Sequence, residues 1–306
     1  MDRRKFIKGC CALSFYTVLA GCSKASAKVK IAHISDTQFG MAKDDLQDKL
    51  GAYIVKAIAP AKDVPEGTLL KEFQKKGTQK EIENFTAVAN AINKEKPDFV
   101  FVTGDMVQHP AGKKADEMVA LLKEQFKKID SSIPVYFCPG NHDVNGASEE
   151  GMARYLKNFG YDRFAVSKNG VSFIGLNTEI ICAAPQAKKD ELFAWLTAEL
   201  EKAKKAGNQI YVLGHRPMFE RKFDEPPAYN SYPVAERKRY VELFKKYDVE
   251  KYLCGHLHER RVIESPVCCT QIVAGPVGMT LDLEHVSCYY TGVVEQGGYK
   301  FESHIL

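Results

Sequence analysis

The hexapeptide PGNHDV at residues 139–144 sits directly behind the short apolar run 135–137. An amide, an imidazole and a carboxylate thus follow a strand-like segment, with Gly140 supplying the turn. The pattern recurs along the chain. The run 29–34 is followed by Ser35, Asp36, Thr37 and Gln38, and the run 99–102 by Gly104 and Asp105. The run 210–213 leads into Gly214 and His215, and 249–253 into Gly255, His256, Leu257 and His258. Five predicted strands therefore deliver Asp, Asn or His just past their carboxyl ends, the edge where ligands bind in open α/β sheets.

Between these runs lie helix-like stripes at three-to-four spacing. Ile82, Phe85, Ala89 and Ile92 form one, and Val119, Leu122, Phe126 and Ile129 a second. Trp195, Leu196, Leu200 and Ala203 form a third, and Tyr240, Leu243, Phe244 and Tyr247 a fourth. With a further strand-like run at 172–176, the alternation predicts α/β layers. Past Gly255 the pattern changes to short runs around 261–263, 271–274, 286–292 and 299–304, which predicts a second sheet closing the C-terminus. Residues 41–80, punctuated by Pro60, Pro65, Gly67 and Gly77, read as an insertion after the first strand. It either shapes a substrate cleft or forms a solvated appendage.

The 306 residues are 45% hydrophobic and 27% charged, enough to bury the core of one large or two small domains. That excludes a disordered chain, and the lack of a fixed period excludes solenoid, collagen and coiled-coil folds. The formal net charge is +4, of which Arg3, Arg4, Lys5 and Lys8 against Asp2 supply +3, leaving +1 for the rest. Such a balance gives no reason to expect nucleic acid as a partner.

Residues 1–21 read as an export signal: a basic DRRKFIK, a short apolar run from 10 to 20, then LAGC at 19–22. The run falls short of the about 20 residues a membrane span needs. Arg3 and Arg4 resemble a twin-arginine signal, and LAGC resembles a lipobox with Cys22 as the lipid-bearing first residue of the mature chain. The expectation is a periplasmic or cell-surface lipoprotein, held to the membrane only by that anchor through a tether at 22–27, with the folded domain at 28–306. Cys138, Cys182, Cys254, Cys268, Cys269 and Cys288 contain no CxxC pair, so zinc-ribbon and thioredoxin chemistry have no support and no particular bridge is predicted.

Asp, Asn and His are oxygen and imidazole donors suited to divalent first-row metals. His256 and His258, separated by Leu257, can serve two neighbouring ions. A pair about 3.5 to 4 Å apart clamps phosphoryl oxygens and activates water, and needs one shared carboxylate. Asp105 is the candidate for that role.

The ordered set DxQ, GD, GNHD, GH and GHLH resembles the calcineurin-like metallophosphoesterase superfamily, over the chain from about Lys28 to the C-terminus. SDTQFG, GDMVQHPAGK, PGNHDV and LCGHLHER are most similar to the calcineurin-like phosphoesterase domain-containing protein 1 subgroup and its bacterial relatives, which shares Gln at position 38. The resemblance implies a four-layer α/β/β/α sandwich and two divalent cations drawn from Mn, Fe, Zn or Mg. It gives one cation to Asp36, Asp105 and His258, with Gln38 as a weak further ligand. The other goes to Asp105, Asn141, His215 and His256. It makes His142 the group that contacts the substrate phosphate, together with Asn141, and protonates the leaving oxygen.

Asp143 either orients that imidazole or holds its own loop; Arg216 either contacts the phosphate or braces the loop beside Pro217. His33, inside the first strand, reads as a buried neighbour, and His109, His285 and His304 as surface or structural residues. Most of the superfamily has His where Gln38 stands, and protein-phosphatase members carry an acid where Gln108 stands. Help for His142 must then come from elsewhere, and the Gln38 site is expected to be the weaker. The activity implied is hydrolysis of phosphomonoesters, phosphoprotein substrates among them. The alternatives are a phosphodiesterase for cyclic nucleotides or other diesters, and a metal-binding surface lipoprotein with weakened catalysis.

Overall fold

Strands whose residues alternate between two apolar environments must be covered on both faces, and that requirement sets the layers. In β1 (Val29–Ile34) Val29 and Ile31 face one buried cluster while Ala32 and Ile34 face another. In β2 (Phe99–Thr103) Phe99 and Phe101 point inward to the first cluster, Val100 and Val102 outward to the second. The computed structural model describes residues 28–42, 69–109, 111–280, 287–295 and 298–306.

The described strands form two sheets. The first runs β11-β10-β1-β2-β3, with β3 at Val135–Cys138, β10 at Cys288–Glu295 and β11 at Gly298–Ile305. The second runs β4-β5-β6-β7-β9-β8, from β4 (Phe164–Lys168) and β5 (Val171–Gly175) through β6 (Gln209–Leu213) and β7 (Val249–Cys254) to β8 (Arg261–Ile263) and β9 (Thr270–Val273). β1, β2 and β3 are mutually parallel, as are β5, β6, β7 and β9, so the carboxyl ends within each set share one rim.

Three apolar clusters mark three interfaces between four layers. Between the sheets, Phe101 and Phe173 approach to 4.8 Å between ring centroids, with Tyr211, Leu253 and Tyr290 in the same cluster. Outside the first sheet pack α2 (Thr78–Glu95), α3 (Gly112–Phe126) and α5 (Glu149–Phe159), through residues such as Phe85, Leu122 and Tyr155. Outside the second pack α6 (Thr178–Ala183), α7 (Gln186–Lys205) and α8 (Val234–Lys246), through Ile181, Leu196 and Tyr240. The α/β/β/α sandwich is the fold expected from the sequence. The short α1 (Leu69–Lys76) precedes α2, and α4 (Asn141–Val144) follows β3.

One expectation is corrected. The runs past Gly255 do not build a sheet of their own: β8 and β9 extend the second sheet, while β10 returns antiparallel to β1 and carries β11 with it. Alternation tells which faces are covered, whereas sheet membership depends on which edge is open. The export segment, Cys22, the tether, most of the 41–80 insertion and His285 lie outside the described residues. Where that insertion begins, buried Glu81 accepts hydrogen bonds from the backbone N–H groups of Gly40 and Ala42, at 2.8 and 2.7 Å. Among the described residues, no helix is long and apolar enough to cross a membrane.

Candidate metal centre

The rim gathers side chains from both sheets. Asp36 and Gln38 follow β1, Asp105 follows β2, Asn141 and His142 open α4, His215 follows β6, and His256 and His258 follow β7. Ten described non-glycine residues have positive φ, and five of them are Asp36, Gln38, Asp105, His256 and His258. Left-handed backbone is costly for such residues and persists where surrounding contacts enforce it. Close approach also requires glycine here. A Cβ on Gly140 would lie 2.2 Å from Asp105 Oδ1, and one on Gly255 would lie 1.8 Å from Ser35 Oγ and 2.5 Å from Asp36 Oδ2.

Four donor atoms meet around His215. Its Nε2 lies 3.1 Å from Asp105 Oδ2, from Asn141 Oδ1 and from His256 Nδ1. On the far side of the ring, Nδ1–H donates to the Thr103 carbonyl at 2.8 Å, which turns the Nε2 lone pair into the site. His258 is set the same way: Nδ1–H donates to the Met279 carbonyl at 3.0 Å, and Nε2 lies 3.5 Å from Asp36 Oδ1.

Buried carboxylates shape the charge. Burial works against ionisation of Asp105, but His215, His142 and His256 outweigh it and hold the carboxyl well below its usual range. Asp36 is shifted the other way, chiefly by burial and also by repulsion from Asp105, against the pull of His258 and His215. Burial pulls the His215 imidazole down while Asp105 lifts it, with a net rise to about 9. Burial, His215 and Arg216 depress His256. Asp36 Oδ1 and Gln38 Oε1 are buried without a hydrogen-bond partner. Divalent cations fit this donor set: they would partner the orphaned oxygens and relieve the repulsion between two carboxylates that are each at most 1% exposed.

His142 is partly exposed beside this cluster. Its backbone N–H donates to Asp105 Oδ1 and its Nδ1–H to the Gln108 carbonyl, both at 2.8 Å. The ring is therefore oriented by a main-chain oxygen. Asp143 accepts from the Met106 N–H at 2.9 Å and the Gly140 N–H at 2.8 Å, so its two oxygens tie the GD loop to the GNHD loop. Burial and the charge of Asp105 raise its carboxyl to about 7.

Arg216 is 4% exposed and braces its surroundings. Its Nε donates to Glu179 Oε1 at 2.6 Å, Nη1 donates to the Tyr229 carbonyl and lies 3.1 Å from His256 Nε2, and the guanidinium stacks 4.6 Å from the Tyr229 ring. His33, buried in β1, hydrogen-bonds Thr103 Oγ1 at 2.9 Å. His304 makes a 2.7 Å hydrogen bond with Thr291 Oγ1.

Three residues of the rim were missed from the sequence. Glu179 anchors Arg216. Arg237 on α8, 1% exposed, donates to the Phe223 and Glu225 carbonyls and shapes the loop that carries Tyr229. Tyr229 itself is 74% exposed, with its ring centroid 6.0 Å from that of His256. Glu179 follows the 172–176 run as closely as other site residues follow theirs, a signal that was available. Arg237 and Tyr229 have no such mark.

A model of the calcineurin-like phosphoesterase family matches residues 29–260. The serine/threonine-protein phosphatase CPPED1 of Bos taurus is 30% identical over 187 residues, which are 59% of this chain and 60% of the bovine protein. That of Danio rerio is 25% identical over 230 residues, 72% of this chain and 74% of the relative. Among solved structures, a dimetal phosphatase from Danio rerio superposes with a TM-score of 0.59 at 11% identity, covering 90% of this chain and 98% of that one. A purple acid phosphatase from yellow lupin seeds gives 0.60 at 14% identity over 92% of this chain and 52% of the other. At these identities the superpositions speak to the fold.

Proposed function

The chain belongs to the calcineurin-like phosphoesterase family, and from that premise we propose that its rim hydrolyses phosphate monoesters, phosphoproteins among them, with two divalent cations. One observation carries the reading. Asp105 joins a donor cluster to the acid: its Oδ2 lies 3.1 Å from His215 Nε2 and its Oδ1 holds the backbone of His142, so the candidate shared ligand and the acid form one unit. Asp105, Asn141, His215 Nε2 and His256 Nδ1 would hold one cation. Asp36, Gln38, His258 Nε2 and the same Asp105 would hold the other.

When bound, such cations neutralise the phosphoryl oxygens and lower the pKa of the attacking water. The chain supplies the rest. Asn141 and the backbone turn at Gly140 set the phosphate-facing edge, and His142 faces the leaving oxygen. Because His142 Nδ1–H is committed to the Gln108 carbonyl, Nε2 is the atom that passes a proton to the departing alkoxide. Asp143 holds the two loops in register for this. The bovine relative's description as a serine/threonine-protein phosphatase supports a phosphorylated protein side chain as substrate.

A second reading, a diester with an aromatic nucleoside leaving group, is favoured by Tyr229, whose exposed ring stands beside His256 over Arg216. A panel of monoesters, diesters and phosphopeptides, assayed with Mn²⁺, Mg²⁺, Fe²⁺ or Zn²⁺ added back, tests both. The first reading expects kcat/KM to favour monoesters; a preference for diesters would replace it with the second.

For location, the pattern of Arg3, Arg4 and the LAGC ending at Cys22 supports export and lipid anchoring at Cys22. Cys22→Ser should release the protein from membranes. A wild-type chain that stays uncleaved and unacylated would contradict this.

A further inference from the structure

The two ends of a carboxamide are chemically opposite, so whichever end is held decides what the other offers. Gln38 is 2% exposed and sits in left-handed backbone at φ 37°. Its Nε2 donates to Gln108 Oε1 at 2.8 Å, while its own Oε1 is buried with no partner. A buried amide oxygen left unmatched is unfavourable on its own, and groups of that kind in a folded protein call for a ligand or a function. Two positions earlier, Asp36 Oδ1 is in the same condition, 3.5 Å from His258 Nε2.

The backbone fixes the pairing of the two glutamines. Gln38 N–H donates to the Asp105 carbonyl at 2.9 Å, Phe39 N–H to Met106 at 3.1 Å, and Gln108 N–H returns to Phe39 at 3.1 Å. Phe39 and Val107 form a parallel bridge. The loops after β1 and β2 are thus laced together, which brings side chains 38 and 108 within reach. An acceptor at position 108 holds the NH₂ end of Gln38 and leaves its oxygen free. A donor at 108 would capture that oxygen and turn the NH₂ end outward, where it cannot ligate a cation.

We propose that Gln108 is a positioning residue for the cation of the Asp36 group: its side-chain oxygen sets the carboxamide of Gln38 so that Oε1 serves as a ligand beside Asp36 and His258. This rests on the metal reading above and deepens it. The same residue steadies the acid by a separate atom, because His142 Nδ1 bonds the main-chain carbonyl of Gln108. Side-chain substitutions at 108 therefore perturb the metal ligand while keeping the group that orients His142.

The test is calorimetric titration of metal-free full-length protein with Mn²⁺, with bound metal counted by elemental analysis after dialysis. Wild type should fill a tighter and a weaker step. Gln108→Met, which has no comparable acceptor, and Gln108→Lys, which offers only donors, should weaken the second step by roughly 10- to 100-fold, the usual effect of losing an outer partner of a ligand. The first step should stay within about two-fold. Gln108→Glu keeps an acceptor and should retain the weaker step far better than either. Thermal unfolding of the metal-free variants identifies any that fail to fold.

If well-folded Met and Lys variants titrate like wild type, or if Glu loses as much of the weaker step as Lys does, Gln108 has no positioning role and the metal reading stands. If wild type takes up no Mn²⁺ in either step, the metal reading falls and this inference falls with it.

Discussion

The two donor groups that the proposal joins through Asp105 are built differently. Around His215, three ligand atoms from Asp105, Asn141 and His256 lie at 3.1 Å from one ring nitrogen, and the Asp105 carboxyl is held ionised. Around Asp36, Oδ2 accepts from the His256 backbone N–H at 3.0 Å, His258 Nε2 stands 3.5 Å from Oδ1, the carboxyl is pushed up by burial, and Asp36 Oδ1 and Gln38 Oε1 lack hydrogen-bond partners. The His215 group has two imidazoles and is assembled by its own contacts. The Asp36 group has one imidazole, and its neutral amide, Gln38, is held by the Gln108 side chain; each group carries one neutral amide and residues in left-handed backbone. Nitrogen donors favour first-row ions over an amide oxygen, so the His215 group should bind tightly and the Asp36 group weakly.

Asp105→Asn removes the residue common to both and has the largest expected effect. Metal content should fall to near zero, and turnover should drop by more than for any other change here. His142→Ala leaves both donor groups intact, so bound metal should stay at the wild-type level while kcat falls roughly 10²- to 10⁴-fold. Turnover equal to wild type on the best substrate would remove His142 from the mechanism.

Breaking the comparison on one side requires a support of the His215 group. Glu179→Gln uncouples Arg216, 4% exposed, which stands behind His256. Leaving a buried charge unpaired typically costs about 3 to 5 kcal/mol, so urea unfolding should show a loss of that order. The tighter metal step should weaken and the weaker one should not. On the other side, Gln38→His adds an imidazole to the Asp36 group, and should raise metal retained after dialysis and reduce dependence on added Mn²⁺. Tyr229→Ala should change least, shifting KM by a few-fold for aromatic phosphoesters, as expected for a stacking contact of about 0.5 to 1.5 kcal/mol, with metal content unchanged.

The legible parts of this molecule are those written locally. Strand ends followed by Asp, Asn or His could be read one run at a time, and the four helical stripes appear on α2, α3, α7 and α8, with Ile129 and Tyr247 just past the ends of α3 and α8. β4, with the mixed sequence FAVSK on an edge antiparallel to β5, has no such signature. The placement of β10 beside β1 follows from an edge left open by β1, a property of the assembled sheet. Asp143 and Arg216 stood open between two roles in the sequence, because each depends on partners far away in the chain. Met106 lies 37 residues from Asp143, and Glu179 lies 37 from Arg216. Gln108 read as the loss of an acid, whereas in the fold its main-chain oxygen orients His142 and its side chain meets Gln38.

The most direct test of the proposed unequal binuclear centre is the Mn²⁺ titration of metal-free wild type beside His215→Ala and His258→Ala. Two unequal steps are expected in wild type, with the tighter step abolished by His215→Ala and the weaker one by His258→Ala. A single step, or two steps that both substitutions weaken equally, would contradict the account.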